Sequence, residues 1–532
     1  MQAPSLRGKV TRSPGDGMVR KLLMSAALVV SAWPFAAHAV WQEASSTHFI
    51  VYADDKPERI RAFTERLEKF DKAMRVMRGV PDEKLADADR VRVYMVGSIG
   101  DIRRLAGKGM SNVAGFYETR IGGPVAFVPR DAPSGSVFDL SAQAILLHEY
   151  AHHFMFLNWP NTVFPEWFVE GFAEFNATAS FNKDGGVTIG QPPVYRVWSL
   201  GDSSALPAGR MLQLDPGKLR EDQTEALYGR GWLLLHYLSF DESRKGQLAK
   251  YMDAINAGKK VEEATNAFGD LKKLDSDMTA YIMRSRITVA TLKASSLPIG
   301  EIKLRVLSPG EAAVMPARLR STRGVDASSA DEVAALASKL AASFPNDAGA
   351  QNELAEAAFD AGDLPTAKAA VERALAADPK SIHALIYKSM VMCAELAKTE
   401  DRDPSHWRTA RHGYIEANHL DPDNPEPLTL YYQSFFQAHA KPTSNAEDGL
   451  LSAYTDAPYA YELRMNAAII LLHRGEKERA RLALLPVAYS PHRAGSANTA
   501  LDAVTAIDAG KIDEALKALE SSKSDKSEAS PS

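Results

Sequence analysis

Residues 141–156, SAQAILLHEYAHHFMF, decide how the rest of the chain is read. Ser141 is suited to cap a helix whose apolar positions keep helical spacing, and in a helix residues four apart lie on one face. His148 and His152 can therefore aim imidazole nitrogens at one ion, with Glu149 beside it to take a proton from a bound water. His153 falls about 140° around the helix from His148, off that face, so His152 is the expected second ligand. A second segment supplies what two histidines lack. Residues 165–175, PEWFVEGFAEF, predict another helix, and Glu170 follows His152 by 18 positions, room for a loop and an antiparallel return. Zinc in a catalytic site takes three protein ligands and keeps one position open, and Glu170 is the expected third. Gly171 is expected to let this helix approach the metal helix closely. Glu174, one turn beyond Glu170, could accept the spare N–H of a ligand histidine and orient its ring. Two like charges at that spacing, set among Phe168, Phe172 and Phe175, call for a cation.

Composition narrows the chemistry. The 532 residues carry 62 Lys plus Arg against 67 Asp plus Glu, a formal charge of -5. That balance argues against broad electrostatic binding to nucleic acid or to an anionic membrane. Cys393 is the single cysteine, which excludes an intrachain disulfide and any thiolate-built metal site. A metal must be held by histidine and carboxylate. With 45% hydrophobic and 24% charged residues the chain has ordinary globular composition.

The motifs resemble a known family. His148-Glu149-x-x-His152 followed by Trp167-x-x-Glu170-Gly171-Phe172-Ala173 is similar to the gluzincin metallopeptidases. The nearer resemblance is to bacterial peptidase-MA-like proteins with a secretory signal, through Trp41, the strand His48 to Tyr52, HEYAHH and PxWFxEGxAEF. It covers roughly residues 40 to 240. It implies that His148, His152 and Glu170 bind Zn2+ and that Glu149 is the catalytic carboxylate. Val169 stands where aminopeptidase members carry Asn, the gap to the third ligand differs by about one residue, and no GxMEN-type motif is evident. Aminopeptidase activity is therefore not carried over, and the expectation is an endopeptidase-like hydrolase. Tyr228, in ALYGRGWLLLHYL, is the candidate donor to the oxyanion, although Tyr228, Trp232 and Tyr237 also read as packing residues. His236 reads as a packed or capping histidine. An edge strand beside the cleft would pair with an extended peptide, and Val125 to Val128 is the expected strand.

The remaining chain divides by composition. Residues 18–39, MVRKLLMSAALVVSAWPFAAHA, have the basic start, short apolar run and small-x-small site of a secretory signal cleaved after Ala39, with Met18 an alternative start. The apolar run is too short to span a bilayer, so no stable membrane insertion is expected after cleavage, and the protein is expected to be periplasmic or secreted. Residues 40–320 mix strands at 48–52, 91–96, 114–117 and 125–128, the last two forming a hairpin, with helices at 57–78, 139–157, 164–180 and 222–240. A Pro-, Ser- and Gly-rich stretch at 308–329 reads as a boundary. Beyond it, Leu354, Gly362, Ala367, Val371, Ala374 and Pro379 occupy the spacing of a tetratricopeptide repeat. Ala410, Tyr414, Ala417 and Pro422 repeat its second half, with weaker echoes at Gly475 and Gly510. Residues 521–532 read as a disordered polar tail.

The predicted architecture is thus a signal peptide at 1–39, an α+β zincin-like metallopeptidase domain at 40–320, an all-α TPR-like repeat domain at 321–520 and a tail. The expected function is zinc-dependent peptide hydrolysis with repeats that recruit a peptide or protein partner. Two alternatives stay open: a periplasmic scaffold with a structural or vestigial zinc site, and a zinc amidase acting on cell wall.

Overall fold

The computed structural model describes residues 40–82, 85–107, 114–131, 140–213, 219–490 and 498–527. The expected signal segment lies outside the described residues. The fold is mostly helical, with a small mixed sheet near the N-terminus.

Strands β1 (Trp41–Ser45), β2 (Phe49–Asp54), β3 (Val91–Ser98), β4 (Phe116–Glu118), β5 (Val125–Asp131) and β9 (Lys303–Val306) form a sheet of order β4-β5-β3-β2-β1-β9. β2, β3 and β5 are parallel, and the outer strands run antiparallel to their neighbours. Helix α1 (Pro57–Arg78) crosses from β2 to β3, with Pro57 at its first turn and Gly79 ending it at a φ of 65°. Helix α2 (Ile99–Ala106) makes the next crossover, from β3 toward β5. β4 and β5 form the predicted hairpin. A second sheet holds β6 (Ser180–Phe181), β7 (Val187–Ile189) and β8 (Ala290–Leu292).

The main sheet is buried on both faces, which explains why β2 reads as a continuous apolar run. Phe49, Val51 and Ala53 face the metal-helix core, whereas Ile50 and Tyr52 join Tyr94, Phe127, Met315 and Leu319 on the other side. That second cover comes from the stretch expected to be a Pro-, Ser- and Gly-rich boundary. It forms a helix, Pro309–Arg323, whose start is secured by a capping box between Ser308 and Glu311 and by Pro309 in the first turn. Proline and serine here start a helix rather than a linker.

Helices α3 (Ala142–Asn158) and α4 (Glu166–Ala177) are joined by a short loop. After the short turns α5 (Val197–Leu200) and α6 (Ala208–Met211), α7 (Glu221–Phe240) packs against α4. Ser141 caps α3 as predicted, accepting from the Ala144 N–H at 3.1 Å.

The second half is a succession of antiparallel helix pairs with a recurring turn. At Gly362, Gly475 and Gly510 the residue after the helix takes a φ of 74°, 76° and 74°. In each turn its N–H reaches back three residues and the next N–H reaches back five, as in Asp363 to the Ala358 carbonyl at 2.9 Å. Glu400 and His439 adopt the same turn without glycine, at φ of 51° and 50°. The sequence therefore marks three of five equivalent turns. Cys393 is buried in the helix Ile382–Lys398, where burial pushes its thiol up to about 11. The last helix, Ile512–Ser527, extends into the segment expected to be a tail.

The two halves share packing. Ile469, Leu472, Leu484 and Val504 belong to the same apolar cluster as Trp167 and Phe172. The buried Arg464 side chain donates to the carbonyls of Pro458, Ala483 and, across the halves, Pro160.

Candidate metal centre

α3 and α4 bring His148, His152 and Glu170 together. The Nε2 atoms of the two histidines lie 3.1 Å apart, and Glu170 Oε2 lies 3.4 Å from His148 Nε2 and 3.6 Å from His152 Nε2. Donors about 2.0–2.1 Å from a tetrahedral ion stand about 3.3 Å from one another, so this triangle has the size of one face of such a site. Glu170 is 1% exposed and His152 is buried. These three residues can hold a metal ion.

The surroundings favour positive charge. Burial opposes protonation of His148, but its hydrogen bond to Glu170 and the charges of Glu174, Glu170 and Glu149 outweigh burial and push it up to about 9. Glu149, half-buried on α3, follows His148 directly. Glu174 Oε1 stands 3.6 Å from His148 Nδ1, the side of the ring away from the triangle. Tyr228 on α7 stacks its ring on His148 at 5.8 Å and 21°. Burial, with the charge of Glu170, raises its phenol well above the ordinary value, and its hydroxyl makes no hydrogen bond among the described residues.

His153 points elsewhere. It is buried among the rings of Tyr150, Tyr117 and Tyr459, and burial lowers it to about 4. His236 is also a packed residue: its ring meets the Tyr281 hydroxyl at 2.9 Å and the Thr288 carbonyl at 2.8 Å, and burial lowers it to about 4.

Two sequence expectations need correction. Gly171 does not serve contact with the metal helix; it faces Gly231 on α7, and a Cβ there would come 2.5 Å from the Gly231 carbonyl. Val125 to Phe127 are also not an edge, since they pair with β3 on one side and with β4 on the other. Among the described residues the edge on this side of the sheet belongs to β4, the other arm of the predicted hairpin.

Sequence reasoning missed Tyr195 and Arg196. The Tyr195 hydroxyl donates to Glu174 at 2.7 Å, and Arg196 donates to Glu174 at 3.2 Å and to Glu225. The Arg196 guanidinium also lies 4.8 Å over the Tyr228 ring. Nothing in residues 190–200 signals this role, because a tyrosine and an arginine in a single 3-10 turn match no spacing rule.

No protein-family model matches the chain, and no curated protein matches it. Among solved structures, the chain is similar to pilF of Pseudomonas aeruginosa at 16% identity with a TM-score of 0.30, over 39% of this chain and 88% of that one.

Proposed function

We propose that the chain is an exported zinc-dependent peptidase of gluzincin type, with an α+β zincin-like domain at about 40–320 and TPR-like repeats at 321–520 that bind a protein partner or substrate. The observation that carries the reading is the triangle of His148 Nε2, His152 Nε2 and Glu170 Oε2, with edges of 3.1, 3.4 and 3.6 Å. His148, His152 and Glu170 would hold the metal, which supplies Lewis-acid polarisation of a carbonyl and a water acidic enough to deprotonate near neutral pH.

The chain's own groups provide the rest. Glu149 Oε accepts the proton of the attacking water and returns it to the leaving nitrogen. Tyr228 Oη donates to the developing oxyanion, a role consistent with a ring stacked on His148 and a hydroxyl not engaged elsewhere. Glu174 orients the His148 ring through Nδ1, and Tyr195 and Arg196 hold Glu174 in place.

Elemental analysis of the purified protein and of His148→Ala, paired with hydrolysis of unfolded protein by wild type and Glu149→Gln, tests the reading. One zinc per chain, lost in His148→Ala and kept in Glu149→Gln while hydrolysis disappears, is the expected result. Stoichiometric zinc with equal hydrolysis by Glu149→Gln would sink the catalytic assignment, and a chain without metal would sink the site. Parallel incubation with peptidoglycan distinguishes peptide from cell-wall substrate.

A further inference from the structure

A cavity of about 820 Å³ lies between the outer face of the sheet and the first helices of the second half. The sheet contributes Tyr52 and Tyr94, stacked at 5.1 Å and 16°, and the helix Pro309–Arg323 lays the Arg318 guanidinium 4.7 Å over Tyr52. β3 contributes Arg92, whose guanidinium donates to the Gly122 carbonyl at 2.7 Å. The helix Ala348–Asp360 contributes Glu353 and Glu356, and the helix Pro425–Gln437 contributes Glu426.

These charges share a cavity without pairing. Among the described residues no carboxylate lies within 4.0 Å of the Arg92 or Arg318 guanidinium, and no ammonium or guanidinium lies within 4.0 Å of Glu353, Glu356 or Glu426. The one basic group at that distance is His383, whose Nε2 lies 3.4 Å from Glu356 Oε2. Elsewhere the same cavity wall satisfies its arginine: Arg305 reaches Glu311 at 2.7 Å and Glu43 at 2.8 Å. Burial, together with Glu356, holds the Glu353 carboxyl well above the usual range, and burial raises Glu426 as well. Glu353 is only 4% exposed, and the single donor it meets is the Ser321 hydroxyl at 3.0 Å. Buried guanidinium and carboxyl groups that stop short of one another across open volume are costly unless something of complementary polarity lies between them.

We propose that this cavity binds a small zwitterion, a free amino acid or short peptide, with its carboxylate on Arg92 and Arg318 and its ammonium among Glu353, Glu356 and Glu426. Arginine suits a carboxylate through paired N–H donors, and three carboxylate groups match the three donors of an ammonium. The stacked tyrosines give the ligand body an aromatic wall. The site lies on the sheet face away from α3 and does not depend on the metal centre.

Calorimetric titration of the intact protein with pooled free amino acids and, separately, pooled dipeptides at millimolar concentration tests the proposal and separates the two sources. Saturable binding of one pool is expected, weakened about tenfold or more when the amine is acetylated or the carboxylate amidated. Arg318→Met and Glu356→Gln should each weaken it similarly, whereas His148→Ala should leave it intact. Glu426→Gln, on a separate helix, provides the comparison if Arg318→Met does not fold. Absence of binding by both pools overturns the proposal, as does equal binding of blocked and free forms or binding lost in His148→Ala but kept in Arg318→Met.

Discussion

Gly171 on α4 and Gly231 on α7 meet backbone to backbone: a Cβ on Gly171 would stand 2.5 Å from the carbonyl carbon and oxygen of Gly231, and one on Gly231 would stand 2.6 Å from the Trp167 carbonyl. Neither neighbour is a flexible side-chain end, so neither can turn aside. The contact sets how deeply α4 seats on α7, and Glu170, adjacent to Gly171, takes its position facing α3 from that seating.

Gly231→Ala should therefore destabilise the protein. Alanine gains at most about 1 kcal/mol of helix propensity, while overpacking costs about 1–3 kcal/mol and displaces backbone. Gly209→Ala, where the nearest atom is Leu271 Cδ1 at 3.8 Å, is the control that should be tolerated. Thermal unfolding of both variants checks the difference. Equal melting temperatures would show that the helix contact is slack.

Arg196→Met should reduce metal affinity and turnover while leaving the fold intact. The residue ends a short 3-10 helix, Val194–Arg196, is half-buried, and pairs with Glu174. Loss of a residue that supports the orientation of a metal-bound histidine costs about 10–100-fold in affinity or activity. Competition with a chromophoric chelator reads the affinity. Rescue by Arg196→Lys, which keeps one charged donor, should be partial.

Chelation should lower the melting temperature of wild type but not of His148→Ala. A ligand that binds only the folded state stabilises it by about 2.7 kcal/mol at a hundred times its Kd. An unchanged melting temperature with a chelator in wild type would argue that His148, His152 and Glu170 hold no metal.

Stability should depend on pH through His48. Its Nδ1 meets Glu68 Oε2 at 2.8 Å, and its Nε2 lies 3.3 Å from Asp71 and 3.4 Å from Asp82. Arg75, paired with Asp71 at 2.7 Å, and Lys72, paired with Asp82, face the same cluster. Burial would lower the His48 pKa, but the Glu68 hydrogen bond and the Asp71 and Glu68 charges outweigh it and raise it above 6.5. A raised folded pKa means the His48 contribution is complete below about 6.5 and disappears as pH rises through the folded value. Glu68 behaves oppositely: burial opposes its ionisation, His48 outweighs burial, and its lowered pKa removes stability as pH falls. His48→Gln should flatten the alkaline side of the stability profile measured by urea unfolding. A profile unchanged by His48→Gln would contradict the assignment.

Arg464→Leu should loosen the junction between the halves. Its guanidinium serves three carbonyls, including Pro160 just beyond α3, and each buried acceptor left unsatisfied costs about 1–3 kcal/mol. Limited proteolysis should then open a site between residues 320 and 490 that wild type protects. Protection equal to wild type would show that the apolar cluster alone holds the halves.

Periodicity and spacing carried a large part of this protein. α1 begins at Pro57 and ends at Arg78 as its apolar spacing predicts, because proline, acidic first turn and terminal glycine are local signals. The four-residue spacing of His148 and His152 required only a helix, and the repeat turns at Gly362, Gly475 and Gly510 required only a residue tolerant of left-handed backbone. Tertiary structure decided the rest. Gly171 could be read as making room for some helix, but only packing shows that the helix is α7. β5 and β4 exchange the roles of interior and edge strand because strand order is a long-range property. Arg196 comes to Glu174 from 22 residues away, and Arg92, Arg318 and Glu353 come to one cavity from three separate elements. Such meetings depend on chain topology and on burial that makes unpaired charge costly, and neither is written into local residue order.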